Sequence, residues 1–204
     1  MSEYVIAGPE LQQASKSLLP SVTDLIGDVP PHGVVVDLGC GNGSVLAQFR
    51  QRGWELYGFD FSRSEIEIAS KAYSDIQFNC VDLTTDLSSH PLAGRCDAVI
   101  STEVVEHIFL PRLYVKNCFS FLKPGGILII STPYHGYLKN LALALFGKMD
   151  FHHTALLDYG HIKFWSRRTL TTLLEEGGFK VERFVGAGRA PFLWCSMVIL
   201  AKKR

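Results

Sequence analysis

The sequence has no excess of either charge. Lysine plus arginine and aspartate plus glutamate each number 20 in 204 residues, so the formal net charge is zero. No broad basic field is available to follow a nucleic-acid backbone, and the terminal KKR is too short to supply one. No apolar run reaches the roughly 18 residues of a transmembrane helix. The opening MSEYVIAGPELQQ has neither the basic nor the apolar region of a secretory signal. The cysteines (Cys40, Cys80, Cys96, Cys118 and Cys195) are odd in number and include no CxxC pair. That argues against a disulfide framework or structural zinc and for reduced thiols. Repeats and low-complexity segments are also missing. A soluble, cytoplasmic, enzyme-sized domain is the expectation, and 47% hydrophobic residues suffice for a full core at this length.

What is present is an alternation. GVVVDL (33–38) is a β-branched run of the kind buried on both faces. A helical pattern (44–53) follows and stops at Gly53. WELYGFD (54–60) reads as a second strand. Ser62, with Glu65 three residues on, starts a helix running to about Tyr73. IQFNC (76–80), CDAVIS (96–101) and ILIIST (127–132) read as further strands, with a helix at 112–122 closed by KPGG. Strand and helix in turn argue a parallel α/β sheet with right-handed crossovers. The end differs: a helix (167–178) leads into FKVERFVGAG (179–188) and PFLWCSMVILAKK (191–203), which read as an antiparallel hairpin at the sheet edge. Residues 1–32 read as an N-terminal helical cap over one end of the sheet. Residues 133–165, rich in aromatics and histidine, interrupt the last repeat as an insertion or lid.

VVVDLGCGNGSVL (34–46) places Gly39, Gly41 and Gly43 between strand and helix, where glycine lets a ligand approach backbone N–H groups. The pattern is GxGxG, not the GxGxxG of dinucleotide binders. Asp37 precedes it, where a carboxylate would repel a pyrophosphate but hold an ammonium. Asp60, 21 positions after Gly39, suits the ribose hydroxyls of an adenosine. Asp82 ends the run after the third strand, within reach of an adenine amino group.

With these residues in place, the chain resembles the class I S-adenosylmethionine-dependent methyltransferases, and among them the ubiquinone-biosynthesis O-methyltransferases. VVVDLGCGNGSVL, LYGFDFS, NCVDL, CDAVISTEVVEHI and LKPGGILIISTP match that superfamily's motifs in order. The resemblance implies a Rossmann-like α/β fold: one domain over 1–204, with a seven-stranded sheet of order 3-2-1-4-5-7-6 and strand 7 antiparallel. It also implies S-adenosylmethionine as cofactor. Asp37, Gly39, Cys40, Gly41 and Asn42 should line its methionine end, Asp60 and Phe61 its ribose and adenine side, and Asp82 and Leu83 the adenine. Ser101 to Glu103 should lie near the sulfonium.

EVVEH (103–107) follows the fourth strand. As one helical turn it would put Glu103, Glu106 and His107 on one side, at the edge where open α/β sheets bind ligands. An alcohol or phenol acceptor must lose a proton on methylation, to a base or beside a metal. Glu103, His107 and His135 are the candidate catalytic groups. Glu103, Glu106, His107 and His161 are the candidate ligands for Mg²⁺, Mn²⁺ or Zn²⁺. A structural role for the cluster stands beside these readings. His152 and His153 read as lid surface. YLKNLALALFGKM (137–149) reads as an amphipathic helix with Leu138, Leu141, Leu145 and Phe146 to one side, to cover the pocket, meet a membrane or form a homodimer contact. The expected activity is O-methylation of a small or medium molecule: a phenol, quinol precursor or glycan hydroxyl. The rivals are a non-catalytic S-adenosylmethionine-binding protein, an RNA 2′-O-methyltransferase and an NAD-dependent oxidoreductase.

Overall fold

A computed structural model gives the fold, described for residues 8–11, 13–153, 155–188 and 190–204. The elements are α1 (Gln13–Leu25), β1 (Val34–Leu38), a 3₁₀ helix (Leu46–Arg52), β2 (Glu55–Asp60), α2 (Arg63–Ala72), β3 (Gln77–Cys80) and β4 (Cys96–Thr102). They continue with α3 (Pro111–Phe121), β5 (Leu122–Pro133), α4 (Tyr137–Leu145), α5 (Met149–His153), α6 (Arg167–Glu176), β6 (Phe179–Ala187) and β7 (Ser196–Lys203). The strands form one sheet of order β3-β2-β1-β4-β5-β7-β6. Strand β7 runs antiparallel to its neighbours, β5 and β6. This is the architecture the resemblance implies.

The β-branched runs explain the layers. Successive strand residues point to opposite faces, and both faces are buried. Val34, Val36 and Leu38 of β1 join one core, with Leu128 and Ile130 of β5 and Met197 and Ile199 of β7. Helices α3 and α6 cover it through Tyr114, Cys118, Phe121, Leu170 and Leu174. Val35, Ile100, Ile129 and Val198 face the other core, covered by Leu18, Val22 and Leu25 of α1 and by Leu46 and Phe49 of the 3₁₀ helix. Helix α1 therefore lies on a sheet face; residues 1–7 and 12 of the expected cap fall outside the described residues.

Three boundaries differ from the sequence reading. Residues 44–53 hold a 3₁₀ helix, whose three-residue period matches the burial of Leu46 and Phe49; Gly53, at φ 70°, ends it. Strand β5 begins at Leu122 rather than 127, because Leu122 pairs with Cys96 before the ladder shifts register. Strand β7 begins at Ser196 rather than 191. Trp194 packs across Gly186 and against Tyr134 and Phe184, which turns the preceding residues off the sheet.

The 133–165 segment leaves and returns at one place. The His135 N–H donates to the Trp165 carbonyl at 3.0 Å. Between them lie α4, α5 and an extended return that docks on the loop after β4. The N–H groups of Ile162 and Lys163 both donate to the Glu106 carbonyl at 3.0 Å, and Trp165 Nε1 donates to the Val105 carbonyl at 3.3 Å.

Candidate active site

The Gly-rich turn folds onto the end of β2. The N–H groups of Gly39 and Cys40 share the Phe59 carbonyl, at 2.7 and 3.0 Å. The Gly41 N–H donates to Asp60 Oδ2 at 2.9 Å. Gly39 has φ 87°, and a Cβ there would run into the Val104 side chain. Only glycine meets both conditions. Asp37, at the end of β1, is buried, and neither carboxylate oxygen has a hydrogen-bond partner. Burial first, and then the charge of Asp60, pushes its pKa up to about 8. A buried, unpartnered acid beside an open-backed glycine turn fits a ligand with a cationic amino-acid end.

The other expected cofactor residues divide into those facing the edge and those committed elsewhere. Asp60 accepts from the Ser62 N–H at 2.9 Å as well as from Gly41, which fixes its carboxylate at the tip of β2. Phe61 beside it is 64% exposed, an unusual place for a large ring unless a flat partner covers it. Asp82 is exposed and accepts from Thr84 N–H and Oγ1 at 2.8 and 2.6 Å. Leu83 is in the core. Cys40 is buried with its thiol against the Gly41 carbonyl. Asn42 looks toward the N-terminal segment: its Nδ2 donates to the carbonyls of Gly8 and Glu10, at 2.9 and 3.2 Å. Ser101 is fully buried, with its hydroxyl 2.8 Å from Tyr114 Oη. Tyr114 Oη in turn donates to the Leu38 carbonyl at 2.9 Å. Ser101 thus braces β1 and α3 from within the core.

The 103–107 segment is a turn, not the helical turn that the i, i+3, i+4 spacing anticipates. Glu103 adopts φ 56°, which ends β4 and swings its side chain toward β5 and β7. There its carboxylate accepts from Ser131 Oγ at 2.8 Å and Ser196 Oγ at 3.1 Å. Burial raises the Glu103 pKa, while those hydroxyls and Lys139 oppose the rise. Glu106 points elsewhere. It is 1% exposed, and neither carboxylate oxygen makes a close hydrogen bond, the Thr132 hydroxyl being the polar group that acts on it. Burial first, then the charge of Glu103, pushes its pKa well above the ordinary carboxylate range; the Thr132 hydroxyl acts the other way.

Glu106, His107 and His161 each offer a ligand atom, and these atoms lie within 4.8 Å of one another. The two imidazoles meet edge to face, centroids 4.9 Å apart. His107 Nδ1 is 3.1 Å from the Tyr159 carbonyl; the tautomer that donates this bond leaves the Nε2 lone pair free. Burial lowers the pKa of both rings, and His107 also lowers that of His161. The shift favours the neutral form of both rings, which keep exposed faces and can accept a proton or bind a cation. Glu103 stands outside this group, held by the two serines.

His135 is buried, its Nδ1 without a partner. It stacks on His153 at 5.7 Å and meets His152 at 5.5 Å and Phe164 at 5.0 Å. His152 and His153, expected on the lid surface, thus turn inward onto it. The sequence reading did not single out Thr132, Lys139 or Asn140. Asn140 Oδ1 is buried without a hydrogen-bond partner, and Thr132 Oγ1 is buried without a close one, acting on Glu106. Their only signal is position: Thr132 sits at the carboxyl end of β5, and Lys139 and Asn140 break an apolar run. Buried polar atoms without close partners are rare and mark functional places. Among the described residues, those of Asp37, Glu106, Thr132, His135, Asn140 and His153 belong to strand ends at the carboxyl edge or to the insertion above it.

Comparison with known proteins bears on the family and the fold. A family model for a methyltransferase domain matches residues 11–183. The ubiquinone biosynthesis O-methyltransferase, mitochondrial, of Rattus norvegicus is 29% identical over 165 residues, covering 78% of this chain and 47% of that protein. The ubiquinone biosynthesis O-methyltransferase of Coxiella burnetii is 28% identical over 159 residues, covering 74% of this chain and 65% of that protein. The chain therefore matches only about half to two thirds of the length of these curated relatives. Among solved structures, magnesium protoporphyrin IX methyltransferase from Synechocystis, with bound SAH, superposes with a TM-score of 0.64 at 22% identity, covering 94% of this chain and 82% of that one. That likeness shows the fold. The family match, with the sheet order, makes the chain a member of the methyltransferase-domain family.

Proposed function

We propose that the chain methylates a hydroxyl of a small or medium molecule, a phenol or quinol in the first instance, held between the ends of β4 and β5 and the insertion. The observation that carries this reading is the buried Glu106 carboxylate, free of any close hydrogen bond, with His107 and His161 beside it. A sulfonium is already a good leaving group, so the acceptor is where proton chemistry is needed. Glu106 and the two neutral imidazoles supply it. The relatives' names support oxygen as the acceptor atom.

The cofactor's methionine ammonium falls to Asp37, its ribose hydroxyls to the Asp60 carboxylate, and its adenine to the exposed face of Phe61. The insertion covers the edge, and the Phe164 ring against His135 and His153 suits an aromatic acceptor. No helix of the described residues is long and apolar enough to cross a membrane.

A divalent cation is the finer form of the same reading. One carboxylate and two imidazoles suit Zn²⁺ or Mn²⁺ better than Mg²⁺, and a bound cation would ionise Glu106 despite its burial. When bound, the ion would lower the acceptor hydroxyl's pKa. The test of function is methyl transfer from labelled S-adenosylmethionine to a panel of phenols, quinols and sugars, with and without chelator. Label in an O-methyl ether is the expected product. Label on nitrogen or carbon, or none across the panel, overturns the reading.

A further inference from the structure

Helix α4 is turned the opposite way from an ordinary surface helix. Lys139 faces inward at 5% exposure, while Tyr137, Leu138, Leu141 and Leu145 face outward, Leu145 at 74%. Apolar burial alone would favour the reverse. A buried ammonium is tolerated only where it is hydrogen-bonded and its charge is met. Both conditions hold here. Lys139 Nζ donates to the Tyr134 carbonyl at 2.8 Å and to the Cys195 carbonyl at 3.4 Å. The Cys195 carbonyl also accepts from the Tyr134 N–H at 2.9 Å, so both oxygens sit where β5 ends and β7 begins. The lysine's charge also acts on Glu103, lowering its carboxyl against the effect of burial. Glu103 in turn holds Ser131 of β5 and Ser196 of β7. The helix and the ends of three strands therefore meet around one cation.

We infer that Lys139 is a positioning residue: its ammonium latches α4 to the ends of β4, β5 and β7 and so sets the insertion over the acceptor edge. Glu103 is the acidic half of the latch. The leucines stay outward because the ammonium finds its acceptors only with the helix in this orientation. The ammonium also acts on His135, four residues before it, holding that ring toward its neutral form. The latch's consequence for turnover rests on the acceptor lying beside Glu106; the latch itself does not.

Hydrogen–deuterium exchange of the full chain, saturated with S-adenosylhomocysteine, reads the latch directly. In K139M the amides of residues 137–145 should exchange about tenfold faster, with those of β1 and β4 unchanged. E103Q lies on another element, yet it should loosen the same helix, and K139M/E103Q should exceed neither single variant by much. K139Q keeps two N–H donors without the charge and serves if K139M does not fold; it should loosen α4 in the same sense. Protection of α4 unchanged in K139M or K139Q, or lost equally across the sheet, overturns the inference, as does an α4 indifferent to E103Q. With hydroquinone as acceptor probe, the latch variants should raise KM about tenfold while kcat changes less than threefold. A fall in kcat at constant KM contradicts a positioning role. Hydroquinone refused by the unmodified protein counts against the proposed function, and the exchange still decides the latch.

Discussion

Glu103 and Glu106, three residues apart, face opposite tasks. The Glu103 carboxylate is spent on the hydroxyls of Ser131 and Ser196, while the Glu106 carboxylate is buried without a close hydrogen bond, acted on by the Thr132 hydroxyl. The left-handed backbone at Glu103 separates them. The result is one acid that builds the edge and one that the hydroxyls of the edge leave unclaimed apart from Thr132, in place of the paired acids that their spacing would give on a helix.

Asp37 ties cofactor binding to pH. Burial and Asp60 hold its pKa near 8, so the free protein carries it protonated at neutral pH. A cofactor ammonium favours the charged form. Binding near pH 7 should therefore release up to one proton, and affinity should rise between pH 5 and pH 7. Calorimetry in two buffers of different ionisation heat measures the release. D37N should abolish it; no release from the unmodified protein contradicts the placement of Asp37 at the ammonium.

Gly39 is constrained twice, by its positive φ and by Val104. G39A should lower stability by about 1–3 kcal/mol and weaken cofactor binding. Adding V104A removes the collision but not the backbone strain, so it should restore part of the loss. Denaturant midpoints of the two variants check this. Full restoration would assign the whole effect to the collision.

His135 should make stability depend on pH. Burial, then Lys139 and the neighbouring histidines, hold its pKa at about 4 against 6.5 unperturbed. The unfolded chain thus binds a proton that the folded chain refuses between those values. The contribution is fully present above pH 6.5 and is lost as pH falls toward 4. Thermal melts across that window should show a shallower decline in H135Q than in the unmodified protein.

Much of the scaffold was legible because local signals decide it. The β-branched runs formed strands buried on both faces, Ser62 capped α2 by accepting from the Glu65 N–H, and Gly53 stopped the turn before β2. What was not legible depends on residues far apart in sequence. The turn at Glu103 needs Ser196, 93 positions away. The start of β7 is set by Trp194 against Gly186 and Tyr134. The apolar stripe of α4 was visible, but not its outward direction, which follows from carbonyls at Tyr134 and Cys195 meeting Lys139. His152 and His153 turned inward for the same kind of reason, against His135.

The central claim is that Glu106, with His107 and His161, activates the acceptor hydroxyl. E106Q keeps the side chain's shape and removes its charge and basicity. Its kcat/KM for the panel's best acceptor should fall by about 100-fold or more, while S-adenosylhomocysteine affinity, measured by calorimetry, stays within about twofold. An E106Q variant that methylates that acceptor as fast as the unmodified protein would contradict the account.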